Sequence, residues 1–222
     1  MLKLFFIIAI LLFSVMIHEC AHGVVALLFG DDTAKRQGRL SLNIIKHVDP
    51  FGTIILPLIL IAFYMMTGSG IIFGWAKPVP VRINNLRNPS RDYTFVSLAG
   101  PLSNILLAFA FAFILPFLMI FFKEPGGTLL SIAIFICFFG VKINIILAMF
   151  NLLPIPPLDG SHVLAYLLPY PLSVRYQQLA RYGFLIILIL IFTDTLKYPF
   201  LFADYLSRTL LGWMGTVGHF FG

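Results

Sequence analysis

His18-Glu19-Cys20-Ala21-His22 sets two imidazoles four residues apart. On a helix that spacing puts both on one face, where they can share one metal ion. Neutral histidine nitrogens at about 2.0–2.1 Å suit Zn2+. Glu19 stands one residue round the helix, beside that face, where a general base for a zinc-polarised water belongs. Cys20 points to the far side and reads as packing. A catalytic zinc needs a third protein ligand and an open position. The candidate is Asp159, at the end of Asn151-Leu152-Leu153-Pro154-Ile155-Pro156-Pro157-Leu158-Asp159-Gly160. The three prolines forbid a regular helix there and leave carbonyls unpaired, which membrane depth tolerates only beside protein or a wet cavity. The plainer readings are histidines that hydrogen-bond neighbouring helices, a Glu19 paired to a lysine, and an Asp159 solvated in a surface turn.

The elements that must position these groups are apolar. The chain has 222 residues, 60% hydrophobic and 11% charged, with a mean hydropathy of +0.99. Soluble domains run roughly 45–50% apolar and 25% charged, so a water-soluble globule is excluded, and so apolar a chain does not stay disordered. Stretches long enough to span a bilayer, about 20 residues, are predicted at 4–29, 95–122 and 128–150, with a shorter one at 183–195. Met1–Ser14 mimics a signal peptide, but no small-residue cleavage site follows and the apolar run continues to Phe29, so a retained helix is expected. Residues 51–75 are apolar but broken by Pro57 and Gly68-Ser69-Gly70. Arg39–Ile44 alternates polar and apolar residues, the pattern of a short strand at the membrane edge. Residues 198–222 carry Asp204, Ser207, Arg208 and Gly212 at three- and four-residue steps, which predicts an amphipathic helix lying in the interface. The expected fold class is an all-α polytopic membrane protein of about four transmembrane helices, with a re-entrant segment, a short β element and the interfacial helix. Its polar segments are too short for a further soluble domain, so residues 1–222 are read as a single domain. Cys20 and Cys137 lie in apolar runs and build no disulfide framework. The net charge of +6 points to cytoplasmic loops and anionic lipid, not nucleic acid.

Three motifs together resemble the signatures of site-2 proteases, the intramembrane zinc metalloproteases. They are His18-Glu19-x-x-His22, Ala99-Gly100-Pro101-Leu102-Ser103-Asn104, and Asn151-Leu152-Leu153-Pro154 with Leu158-Asp159-Gly160. Gly74-Trp75-Ala76-Lys77-Pro78-Val79-Pro80-Val81 is similar to the short prokaryotic subgroup without PDZ or CBS domains. The resemblance implies one zinc per chain on His18, His22 and Asp159, with Glu19 as base. It also implies that Asn151 assists at the substrate carbonyl, that Gly100 and Asn104 belong to a helix-packing motif, and that the strand near 39–44 holds substrate extended. The implied reaction is hydrolysis of peptide bonds in or near transmembrane helices of single-pass membrane-protein substrates.

Three ligands at one depth require the ends of the first and third long spans to lie on one side, so 51–75 should re-enter, with a two-helix hairpin the alternative of the same parity, and not cross once. Re-entry gathers Lys35, Arg36, Arg39, Lys46 and six further cations on one side, against Lys3, Lys123 and Lys197 on the other. That asymmetry is expected of a cytoplasmic face, so the N-terminus is expected outside a prokaryotic plasma membrane and the zinc toward the cytoplasm. Lys142, mid-span, is read as lining a water path, pairing with an acid, or snorkelling. His47 with Asp49, and His162 one turn beyond Asp159, are weighed as metal-binding groups against solvated or packing roles, and His219 reads as solvated. Two rivals remain: a CAAX-type zinc protease, whose third ligand would have to be Glu124, and a non-enzymatic zinc scaffold or transporter, which the lack of repeated halves disfavours.

Overall fold

From Leu2 to Leu28 the chain is apolar and free of proline, and it forms one long helix, α1 (Leu2–Leu28). The computed structural model describes residues 2–55, 58, 59, 62, 65, 66, 76–121 and 128–220. After the short α2 (Thr33–Arg36) come 3-10 turns at Ile44–His47 and Ile83–Asn85 and a π turn at Pro50–Ile55. The other helices are α3 (Pro89–Phe121), α4 (Thr128–Asn151), α5 (Asp159–Leu167), α6 (Tyr170–Gln177), α7 (Gly183–Phe192) and α8 (Lys197–Phe220). Among the described residues, four stretches are long and apolar enough to cross a membrane: Leu2–Leu28, Pro89–Leu118, Thr128–Asn151 and Tyr170–Phe192. The last starts at Tyr170 and not near 183, because α6 and a 3-10 turn at Gln178–Tyr182 run on into α7.

Helices α1, α3 and α4 pack on one another, α5 lies against α3, and α8 lies against α3 and α4. Lipid tails are as apolar as leucine, so close backbone approach has to supply the attraction between such helices. The seam is accordingly small: Ala108, Ala112 and Ala203 are fully buried beside Val141 and Ile145. Gly140 shows the constraint most sharply, since a Cβ there would come within 2.5 Å of the Phe111 ring. Large side chains such as Leu106, Phe113 and Leu129 face outward.

Buried acids anchor the loops at one end of the bundle. Asp92 in the first turn of α3 accepts from the Asn88 backbone N–H at 2.7 Å and from Arg91. A carboxylate there satisfies an orphan N–H at the positive end of the helix. Asp31, fully buried just after α1, accepts from the Arg82 backbone N–H at 2.6 Å, from Asn85 at 2.9 Å and from Thr33. Burial alone would raise the Asp31 carboxyl, and the Thr33, Arg82 and Asn85 donors outweigh it and hold it below the usual range.

Three expectations meet the structure differently. Residues 39–44 form no strand: they bend into the Ile44–His47 turn, whose Ile45 N–H is capped by the Asn43 side chain at 3.0 Å. Alternation alone cannot build a ladder, and no strand among the described residues lies beside it to pair. Most of the 51–75 segment, including Gly68-Ser69-Gly70, lies outside the described residues. Helix α8 turns part of its polar face inward. Ser207 is fully buried, and Asp204 pairs with Lys142 of α4 at 2.9 Å and with Arg208 at 2.6 Å. A mid-span lysine needs such a partner, because a lone charge in a membrane helix is expensive.

Gly140→Ala should therefore lower thermal stability in detergent by about 1–3 kcal/mol. Adding Phe111→Ala, which empties the space the new methyl needs, should cost less than the two single changes summed. Thermal unfolding of all four proteins reads both outcomes.

Candidate metal centre

His18 and His22 lie one helical turn apart on α1, both buried, and their Nε2 atoms stand 3.1 Å apart. Their other nitrogens determine what those Nε2 atoms carry. His22 Nδ1 lies 2.7 Å from the Val96 carbonyl oxygen, which only accepts, so Nδ1 bears the hydrogen. His18 Nδ1 lies 2.6 Å from Asn104 Oδ1. The Asn104 amide is oriented by its Nδ2, which donates to the Ser14 carbonyl at 3.3 Å and to Asn144 Oδ1 at 2.8 Å. Asn144 is oriented in turn by Nδ2 donation to the Gly140 carbonyl at 2.8 Å and to Ser14 Oγ at 2.9 Å. Asn104, Asn144 and Ser14 are all fully buried. The chain of bonds leaves one assignment for the neutral rings: both carry hydrogen on Nδ1, and both aim a bare Nε2 lone pair at the same point.

Asp159 opens α5 and meets that point. Its Oδ2 lies 3.1 Å from His18 Nε2 and its Oδ1 lies 3.5 Å from His22 Nε2. Helix α4 ends at Asn151, and turns through residues 152–158 carry the chain back. The fold-back is so tight that a Cβ on Gly160 would strike the Leu152 backbone.

These residues fit a zinc ion. Two bare imidazole nitrogens and a carboxylate converge, and a positive charge between them relieves the repulsion of their lone pairs. Bonds of about 2.0–2.1 Å in tetrahedral array separate ligand atoms by roughly 3.3 Å, close to the 3.1–3.5 Å observed. Asp159 Oδ2 is buried with no conventional hydrogen-bond partner. Gly100 of α3 keeps the cradle open, since a Cβ there would come within 2.5 Å of the Nε2 atoms of both histidines. Among the described residues, His18, His22 and Asp159 form the one group of three or more His, Cys, Asp or Glu side chains close enough to hold a metal.

A cavity of about 360 Å3 opens beside the three groups, and its wall includes Glu19, Asn151, Tyr93 and His162. Glu19 Oε2 accepts the Val79 backbone N–H at 2.8 Å. That stretch of chain is held by Arg39, which donates to the carbonyls of Lys77 at 2.8 Å and Pro78 at 3.2 Å. Asn151 lines the cavity, with its amide donating to the Leu147 carbonyl at 2.9 Å. Burial pushes the His162 imidazole down, so it is neutral near neutral pH. Cys20 faces Ser41 and His47, while His47 binds the Ser41 carbonyl at 2.9 Å and joins no metal cluster among the described residues. Glu124 lies outside the described residues, as does the side chain of His219. Sequence reasoning missed Ser14, Asn144 and the Val96 carbonyl. The rule that singled out Lys142, a polar group inside a span, applies equally to Asn144.

The family model described as Peptidase family M50 matches residues 5–126 and 117–191. Three similar proteins carry the name "Putative zinc metalloprotease". YwhC of Bacillus subtilis (strain 168) is 40% identical over 193 residues, 87% of this chain and 83% of its own. Rip2 of Mycolicibacterium smegmatis is 31% identical over 191 residues, 86% of this chain and 68% of its own. MJ0611 of Methanocaldococcus jannaschii is 54% identical over 71 residues, 32% of each chain. No solved structure matches the chain.

Metal analysis of detergent-purified protein tests the cradle. Asp159→Ala should weaken zinc binding, and Gly100→Ala should do so without removing a ligand, because its methyl lands on both Nε2 atoms. Glu19→Gln should retain zinc. Zinc bound by Asp159→Ala as tightly as by wild type would remove Asp159 from the ligand set.

Proposed function

The chain belongs to peptidase family M50 and is a zinc-dependent intramembrane metalloprotease; we propose that it cuts single-pass membrane proteins in or near their transmembrane helices, with one zinc ion per chain on His18, His22 and Asp159. The observation that carries this reading is the convergence of two bare imidazole nitrogens and a carboxylate beside a cavity that also holds Glu19. Zinc bound there would lower the pKa of a water toward about 7 and polarise a carbonyl. Glu19 takes the proton of the attacking water and passes it to the leaving nitrogen. The Val79 N–H holds one Glu19 oxygen and so fixes the direction of the other, which has no partner among the described residues. Asn151, by its match to the family motif, turns its amide from Leu147 to the substrate carbonyl.

The same reading sets the N-terminus outside a prokaryotic plasma membrane and the site toward the cytoplasm. Its support is the cation asymmetry of the loops and the bond from Glu19 to the Val79 N–H, in the loop segment that also carries Lys77 and Arg82. Substrate enters from the bilayer and water from the basic side. A helical substrate must unwind before cleavage, because its own hydrogen bonds hide each carbonyl.

Zinc-loaded protein in liposomes, given a panel of single-span reporters, should release cleaved fragments. Glu19→Gln should reduce cleavage by about 10²–10⁴-fold, the usual worth of a positioned base, at unchanged zinc content. Cleavage by Glu19→Gln at the wild-type rate would overturn the assignment of the base.

A further inference from the structure

The cavity wall holds one histidine that the zinc and base roles leave unused. His162 stands three residues beyond Asp159 on α5, so the two side chains share a helix face, and both line the cavity that contains Glu19. A cavity of about 360 Å3 spans roughly two to three residues of extended chain, so a peptide bond lying in it is within reach of each wall. The ring of His162 packs on Tyr93 of α3, with centroids 4.7 Å apart and planes 68° apart. Tyr93 follows Asp92, the buried acid of the first α3 turn, so the platform under His162 is anchored. His18 and His22 spend their Nδ1 hydrogens on Asn104 and Val96. Neither nitrogen of His162 has a hydrogen-bond partner among the described residues, although its ring faces the cavity. Asn151 must leave the Leu147 carbonyl before it can donate to a substrate, whereas His162 has no such bond to break.

Peptide hydrolysis puts negative charge on the carbonyl oxygen, and a donor aimed at that charge is often the largest single contribution to the rate. We propose that His162 is a further catalytic residue, donating a ring N–H to the scissile carbonyl oxygen as its carbon becomes tetrahedral, and that Tyr93 is the positioning residue that holds its ring. The inference rests on the protease reading above. In the step, the water oxygen bonds to the carbonyl carbon and the C=O π pair moves onto the carbonyl oxygen. Glu19 accepts the water proton, and as that pair returns and the C–N bond breaks, the proton goes to the nitrogen. His162 lends a hydrogen bond throughout and keeps its own proton.

The test compares two probes on zinc-loaded full-length protein in detergent. One is an apolar phosphinic pseudo-peptide, whose tetrahedral centre carries the anionic oxygens of the transition state; the other is a hydroxamate with the same side chains. Both affinities are read by calorimetry. His162→Phe, which keeps a ring on Tyr93 but no donor, should weaken the phosphinate by about 10- to 100-fold, a hydrogen bond to a charged group, and the hydroxamate by less than about threefold. His162→Asn, which keeps an N–H, should recover most of the phosphinate affinity. Tyr93→Phe should bind as wild type does. Tyr93→Ala should weaken the phosphinate and add nothing on top of His162→Phe. Unchanged phosphinate affinity in His162→Phe, or equal losses in the Phe and Asn variants, overturns the role. Loss of zinc from His162→Phe overturns it too, by making His162 a ligand. If wild type binds neither probe, the protease reading falls as well, whereas normal binding by wild type with no effect at His162 sinks this inference alone.

Discussion

Two imidazole lone pairs face each other 3.1 Å apart inside an apolar bundle, and the fully buried Ser14, Asn104 and Asn144, with the Val96 carbonyl, serve to keep them so. Left free, two histidines one turn apart would rotate, change tautomer or bond to neighbouring backbone. Here each Nδ1 is spoken for. The Val96 carbonyl fixes His22 directly, and a relay from the Gly140 carbonyl through Asn144 and Asn104 fixes His18. Each bond contributes only about 1 kcal/mol net. Their weight lies in the alternative, because an unpaired amide at that depth costs several times more and so the relay has one arrangement.

The rest of the fold can be understood from that requirement. The relay needs α1, α3 and α4 in contact, and contact needs small residues on the seam, which is why Gly140 lies under Phe111 and Gly100 lies over the histidines. Asp159 arrives from beyond α4, whose inward face is taken up by packing at Gly140, Val141, Asn144, Ile145 and Ala148. The proline-rich turn ends α4 at Asn151, and Gly160 lets the chain double back on Leu152. Glu19 is treated differently. Its carboxylate is held by a single backbone N–H from a segment clamped by Arg39, so Glu19 sits at the edge of the polar relay and opens onto the cavity.

Much of this was legible in the residues. Apolar runs of spanning length announce membrane helices whatever they pack against, and the His18–His22 spacing sets both rings on one face by helical geometry alone. The proline run marked the end of α4 because proline cannot continue a helix. The strand at 39–44 was misread, since alternation describes one chain and a ladder needs two. The inward turn of α8 was also hidden. Asp204 and Ser207 look like a solvent-facing stripe until Lys142 is found opposite, and that pairing joins residues far apart in sequence.

Sequence by itself determined which side chains meet within a turn, the two histidines and Glu19 beside them, and also the solvent in which the helices must live. Those are local facts, set by helical periodicity and by the free energy of transferring each residue into lipid. Only the tertiary structure decided which nitrogen of each histidine is bare, how Asp159, already the candidate from sequence, comes within 3.5 Å of both rings, and which unspent imidazole faces the cavity. Each of those depends on a partner on another helix, as Asn104 is to His18, Asp159 to both histidines and Tyr93 to His162. Hydrogen bonds and metal ligation act over about 3 Å, so they are settled only once packing has brought distant segments that close.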